Sequence, residues 1–187
     1  MEKINLENNI IDYPMPVVLV GTKVNGKSDF LAVSWITMVS DKPCKVAISL
    51  NKNHNTTKGV KENNAFSICI PSKGQVKNVD YCGVVSGENS DKADLFHLFY
   101  GKLDGTPMIE ECAINAECKF ENVVECGDHE LFIAEIMKVY ADKGVVSDNK
   151  VLLDKLEPII LDGSCNKYRE IGNVIDDAFK TQKLQNE

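Results

Sequence analysis

Apolar residues in this chain recur mostly at every second position or in short β-branched runs, a pattern that predicts strands. Val17-Val18-Leu19-Val20-Gly21-Thr22 is such a run, and Asn25-Gly26 follows it. Asn-Gly favours a tight turn because both residues tolerate positive φ, so a hairpin is expected, with the apolar stretch 30–39 as its second arm. Residues 45–50, after Pro43, put Val46 and Ile48 on one face, and residues 66–70 alternate in the same way before Pro71 stops them. Residues 114–126 and 130–140 are longer candidates, separated by Gly127-Asp128 with His129 at the turn, and should pair antiparallel. Helix signals are few and short. Residues 55–64 open with Asn55, Thr56 and Thr57, whose side chains can cap a helix, and close on Asn63 and Asn64. A second short helix is expected over 75–83 and a third around 174–179 in the polar tail. Short apolar runs continue over 151–161, around Pro158. Many strands and no alternation of strand with long helix predict a mainly β protein with short helices, an antiparallel barrel rather than a doubly wound sheet.

Composition narrows this picture. At 187 residues, 43% of them hydrophobic, the chain can bury one core, and a single domain over 1–187 is expected. It has no apolar run near the ~20 residues that span a bilayer. The start, Met1-Glu2-Lys3-Ile4-Asn5, lacks the order of a signal peptide, so a cytoplasmic protein that does not meet a membrane is expected. A formal charge of −7 argues against nucleic acid, whose binding rests on phosphate neutralisation, but leaves room for one phosphate held by local donors. The seven cysteines contain no C-x-x-C pair and read as reduced thiols; the three histidines, far apart in sequence, offer no metal-ligand spacing.

Three segments carry candidate chemistry. The first, Ser49-Leu50-Asn51-Lys52-Asn53-His54-Asn55-Thr56-Thr57, leaves a strand through polar residues and enters a helix, where hydroxyls, free N–H groups and the positive helix end converge as a phosphate requires. A plainly capped helix is the other reading of the same residues. The second, Asp80 to Lys92, has Gly83 and Gly87 for close backbone approach and Lys92 for charge; ordinary turn glycines on a solvated loop are the alternative. The third, Ala32-Val33-Ser34-Trp35-Ile36-Thr37, places the chain's single tryptophan in a strand with small neighbours. Such a strand edge suits the rim of a planar ring, although packing is the simpler role for a lone tryptophan.

Together these segments resemble the flavin-reductase-like family, and flavoredoxins in particular. The resemblance runs from Pro14-Met15-Pro16-Val17-Val18-Leu19-Val20 through Ser34-Trp35, Pro43, Ser49, Thr56, Phe66 and Ile70-Pro71 to Tyr81-Cys82-Gly83-x-x-Ser86-Gly87-x-x-x-Asp91-Lys92 and Pro158-Ile159-Ile160. It implies an FMN-binding split β-barrel, a Greek-key antiparallel barrel that forms a homodimer and binds FMN near the subunit boundary. It would place Val33, Ser34, Trp35 and Ile36 beside the isoalloxazine and Ser49, Leu50 and Asn51 along the ribityl chain and phosphate. His54 would stand in the turn before Thr56 and Thr57, the phosphate ligands, while Cys82, Gly83, Ser86, Gly87 and Lys92 would close the site. The function implied is electron transfer from NAD(P)H or a reduced carrier protein to a small acceptor or partner, with no catalytic side chain in the strict sense and no metal. An FMN-storage protein and a flavin-free interaction module are the competing readings, and no Rossmann G-x-G-x-x-G is present to hold a nicotinamide dinucleotide.

Overall fold

The computed structural model describes residues 1–7, 11 and 13–180. A two-residue strand, β1 (Met15–Pro16), leads into β2 (Val18–Val24), and the Asn25-Gly26 turn then forms as its chemistry dictates. Asn25 and Gly26 take φ of 50° and 80°, the backbone whose twist matches flanking strands. β3 (Lys27–Val33) returns along β2 in the register Val18↔Val33 to Val24↔Lys27. It stops at Val33. Ser34 and Trp35 lie outside any strand, and β4 (Ile36–Asp41) starts a second hairpin with β5 (Cys44–Asn51). The apolar stretch 30–39 is therefore two strands, not one arm of a hairpin.

α1 (Asn55–Asn63) ends on Asn64 in the left-handed conformation, as its closing asparagines predicted, and β6 (Ala65–Ile70) follows. α2 (Val76–Val84) occupies the second expected helix. Then come a short hairpin, β7 (Leu98–Tyr100) with β8 (Pro107–Ile109), and the two long strands β9 (Ile114–Cys126) and β10 (His129–Ala141), which pair antiparallel. β11 (Val146–Ser147), β12 (Lys150–Val151), α3 (Leu153–Leu156), β13 (Ile159–Asp162) and β14 (Lys167–Glu170) complete the order. The helix expected around 174–179 does not form. Val174, Ile175 and Phe179 are almost wholly exposed, and a helix this short with no surface to pack on is unstable in water.

Seven strands make one antiparallel sheet in the order β3-β2-β6-β9-β10-β5-β4. Alternation sends every second side chain to one face. Val18, Val20, Leu31, Val33, Val46, Ile48, Phe66, Ile68, Ala116, Cys118, Phe132 and Ala134, from six different strands, meet there in a single buried cluster closed by Val60 of α1. Inner-face residues of so many strands share one core only if the sheet is rolled up. The roll is not closed: β3 and β4 are consecutive in the chain yet are the two edges of the sheet, and the polypeptide crosses from one to the other through Ser34 and Trp35. This is a split β-barrel, mainly β with short helices, as expected. On its outside, Val79 and Cys82 of α2 pack with Val17, Leu19, Phe30 and Met108 in a second cluster. Among the described residues no helix is long and apolar enough to cross a membrane.

Candidate functional site

The split is where the sheet leaves its backbone open. β3 has a ladder partner on one side only, so N–H and C=O groups of its other edge face outward beside the crossing segment. Two cavities flank that segment. One, of about 190 Å³, is lined by Leu31 to Trp35 together with Ser49, Leu50, Asn51, His54 and His129. The other, of about 220 Å³, shares Ala32, Val33 and Ser34 with the first and adds Val17, Asp80, Gly83, Val84, Leu161 and Tyr168. Flat apolar walls, an open strand edge and a few hydroxyl and amide groups suit a planar ring with a polar rim.

Trp35 is 40% exposed, so the packing role expected for a lone tryptophan is corrected. The chain passes from one sheet edge to the other at this residue, and neither face of the sheet covers the ring. Its carbonyl accepts from the Ser49 N–H at 2.9 Å, and its indole lies 4.8 Å from the His129 ring at 40°. His129 Nδ1 in turn sits 2.8 Å from Asp128 Oδ1, and this hydrogen bond, ahead of any other influence, holds the Asp128 carboxyl below its ordinary value.

His54 occupies the N-cap position of α1 with extended backbone and makes no side-chain capping bond. Capping by Asn55, Thr56 or Thr57 is not realised, because all three lie inside the first turn and have other acceptors at hand. The Thr56 hydroxyl donates to Asp29 Oδ2 at 2.8 Å, the Asn55 amide to the same oxygen at 3.2 Å, and the Thr57 hydroxyl to the Asn51 carbonyl at 2.8 Å. The N–H groups of Asn55 and Thr56 have no helical acceptor and define the positive end of the helix. Burial, then the charges of His129 and Lys92, lower the His54 pKa below 6.5, leaving the imidazole neutral at neutral pH.

The structure thus brings Val33, Ser34, Trp35, Ser49, Leu50, Asn51 and His54 to one cavity and Gly83 to its neighbour. Other expected residues stand elsewhere. Ile36 packs inward against the barrel core. Thr56, Thr57 and Cys82 are buried, and burial pushes the Cys82 thiol up to about 11. Ser86 accepts the Glu88 N–H at 3.2 Å, and Gly87 lines a polar cleft of about 570 Å³ together with Asp29, Asn55 and Lys58. Lys92 is 2% exposed, with its ammonium 3.0 Å from Asp29.

Two residues near the site went unread in the sequence. Asp29 shares its parity with Leu31 and Val33, so it falls where the alternation of β3 asks for an inward apolar side chain; that misfit was a usable signal. His129 reaches the cavity by pairing with Asn51 across β5 and β10, a long-range register that no local pattern reveals.

The chain belongs to the flavin reductase-like family, whose domain model matches residues 11–157. Among solved structures it is similar to the flavoredoxin of Methanosarcina acetivorans, with 39% identity and a TM-score of 0.95 over 98% of each chain. It also resembles the flavoredoxin of Desulfovibrio vulgaris (Miyazaki F), with 32% identity, a TM-score of 0.89, and coverage of 97% of this chain and 100% of that one. A curated relative, the FMN reductase (NADH) RutF of Agrobacterium fabrum, is 24% identical over 154 residues, 77% of this chain and 86% of the relative.

Proposed function

We propose that the protein binds one FMN at the split and passes electrons from NAD(P)H or a reduced carrier protein to a small acceptor or a partner. The observation that carries this reading is the crossing at Ser34-Trp35, which sets an open strand edge, two flanking cavities and the amino end of α1 around one groove. The donor set fits a molecule with a flat ring, a polyol and a phosphate. Val33, Ser34 and Trp35 would hold the ring, Ser49, Leu50 and Asn51 the polyol, and the first turn of α1 the phosphate. When bound, the flavin supplies the hydride and single-electron chemistry. The protein's own part is to orient the ring on the β3 edge, to keep water from one of its faces with Leu31, Val33 and Trp35, and to keep His54 uncharged beside it. The names of the relatives, flavoredoxin and FMN reductase, support FMN and an electron-transfer role.

A homodimer belongs to the same proposal. Met38 lies in register with Val46 and Ala134, and Val139 with Ala116, all on the inner face of the sheet, yet they are 56% and 55% exposed. Core-facing residues left uncovered at a barrel split call for a second surface, and a twin subunit is the commonest one.

Purified protein is expected to be yellow, to release FMN rather than FAD on denaturation at about one per chain, and to scatter light as a dimer. Anaerobic mixing with NADH, NADPH and reduced carrier proteins should bleach the flavin within seconds. A colourless preparation that takes up no added FMN sinks the flavin reading. Bound FMN that no donor reduces leaves a storage protein instead.

A further inference from the structure

The cavity of about 220 Å³ beside the crossing takes its walls from separate parts of the chain. Val33 and Ser34 come from the β3 edge, Asp80 and Gly83 from α2, and Leu161 and Tyr168 are register partners on β13 and β14. The β13–β14 wall lies beyond residue 157, where the match to the family's domain model ends. Val33 and Leu161 make two sides apolar. On the α2 side the polar groups left free all accept hydrogen bonds. The Tyr168 hydroxyl donates to Asp80 Oδ1 at 3.1 Å; burial, then that bond and the Asp80 charge, raise the phenol to about 12, so it keeps its proton and stays the donor. Asp80 is exposed, and this bond is what keeps its carboxylate from swinging into water. Its other oxygen, Oδ2, has no hydrogen-bond partner among the described residues. α2 ends at Val84, so the Gly83 and Val84 carbonyls have no helical donor and form the negative pole of the helix. Among the described residues no lysine, arginine or histidine lines the cavity.

We propose that this cavity is a second binding subsite beside the flavin, and that it takes a single aromatic ring that is cationic or bears N–H donors, with Asp80 as its anchor and Tyr168 as the residue that positions Asp80. Its place beside a flavin rests on the FMN reading above. Sites for drug-sized ligands run to roughly 300–1,000 Å³, so a cavity of this size holds one ring and not a dinucleotide. The ring lies between Val33 and Leu161, and its donor group meets Asp80 Oδ2 and the end of α2. An anion meets a carboxylate and a negative helix pole with no cation to offset them. The small molecule that exchanges electrons with the flavin at this subsite is therefore a neutral or cationic aromatic, not a carboxylate or an oxyanion.

The probes are benzamidinium, benzamide and benzoate, a single ring bearing a positive, no and a negative charge, titrated calorimetrically into the full chain with and without FMN. Benzamidinium should bind about tenfold tighter than benzamide, as a charge-assisted hydrogen bond exceeds a neutral one, and benzoate should not bind. Asp80→Asn should bring benzamidinium to within about twofold of benzamide. Tyr168→Phe keeps the charge but frees the carboxylate, and should cut the ratio to about threefold with benzamide little changed, whereas a merely structural tyrosine would weaken both probes together. Gly83→Leu fills the cavity at little cost to the fold, since a Cβ there meets only Ala32, at the ordinary contact of 3.4 Å, and should abolish binding of the ring. Ring binding that survives Gly83→Leu, or a tenfold preference that survives Asp80→Asn, overturns the proposal. Should Gly83→Leu fail to fold, Asp80→Asn, a change at an exposed position, decides alone. On the FMN-loaded chain benzamidinium should also shift the flavin absorption bands, because the two cavities share Val33 and Ser34; binding without a shift overturns the placement beside the flavin. A chain that takes up no FMN yet ranks the probes in this order overturns the FMN reading alone, whereas one that takes up FMN and shows no preference among them overturns this proposal alone.

Discussion

Replacing Gly87 with alanine probes how tightly the loop before Lys92 is pressed onto the ion pair. The new Cβ would stand 2.3 Å from Asp29 Oδ1, 2.5 Å from Cγ and 2.6 Å from Oδ2, so roughly 1 Å of retreat is needed to reach ordinary contact. Two groups can give way. If the carboxylate moves, it leaves Lys92, Thr56 and Asn55 together, and breaking a buried pair costs about 3–5 kcal/mol. Its strand is pinned by a full ladder to β2, which makes that route stiffer still. If the loop moves, it strains surface contacts: Lys58 with Glu88, Tyr81 with Ser90 at 2.9 Å, and Ser86 with Glu88 N–H at 3.2 Å. Exposed interactions of this kind are worth about 1 kcal/mol or less each. The loop therefore yields, and the expected loss is about 1–2 kcal/mol in urea unfolding, with the FMN-to-riboflavin preference kept. A loss above about 3 kcal/mol together with a changed preference would mean that the carboxylate yields and the reasoning fails. A loss below about 0.5 kcal/mol would mean that the close approach is not real in solution.

Two further expectations are independent of that loop. Burial raises the thiol pKa of Cys69 and Cys118 from 9.0 to about 12, of Cys82 to about 11, and of Cys112 in the same direction. The folded chain keeps these protons while the unfolded chain releases them, so their contribution is intact below pH 9 and is lost as pH rises toward 11–12. Four such thiols remove roughly 5 kcal/mol by pH 10, comparable with a whole domain's stability, and urea titrations from pH 8 to 10.5 should show a collapse; a flat profile refutes it. Trp35→Ala should cost less than about 1 kcal/mol of stability, because the ring is half in solvent, while weakening FMN and riboflavin alike by about tenfold. Unimpaired flavin binding with a loss above about 3 kcal/mol would place Trp35 in the core after all.

The strands were legible wherever turn chemistry and alternation agreed. Asn25-Gly26 fixed one hairpin, and Gly127 between two alternating runs fixed another, because these signals are local and each has a steric cause. The break at Ser34-Trp35 was not legible, since an apolar run looks the same whether it stays in one strand or crosses from one sheet edge to the other. Only the strand order separates the two. Nor did composition around Thr56 reveal where the hydroxyls point: the acceptor that claims Thr56, Asp29, lies 27 residues earlier on another element. The helix expected around 174–179 failed for the opposite reason, a local preference with nothing to pack against.

A barrel whose two edges are joined by the same short crossing that forms the proposed ligand groove has no separate hinge for binding. Whatever occupies the groove rests on β3 through Leu31 to Val33 and on β5, the neighbour of edge strand β4, through Ser49 to Asn51. The ligand therefore acts as a seam across the opening, and its binding energy is transmitted to the sheet as a whole. At a free concentration a hundred times its dissociation constant, a ligand of this kind adds about 2.7 kcal/mol to unfolding. Amide hydrogen exchange along β3 and β4 should slow first as the seam is filled, whereas the opposite end of the β9–β10 ladder, where Ala141 pairs with Ile114 twelve residues along β10 from His129, should report only the global gain.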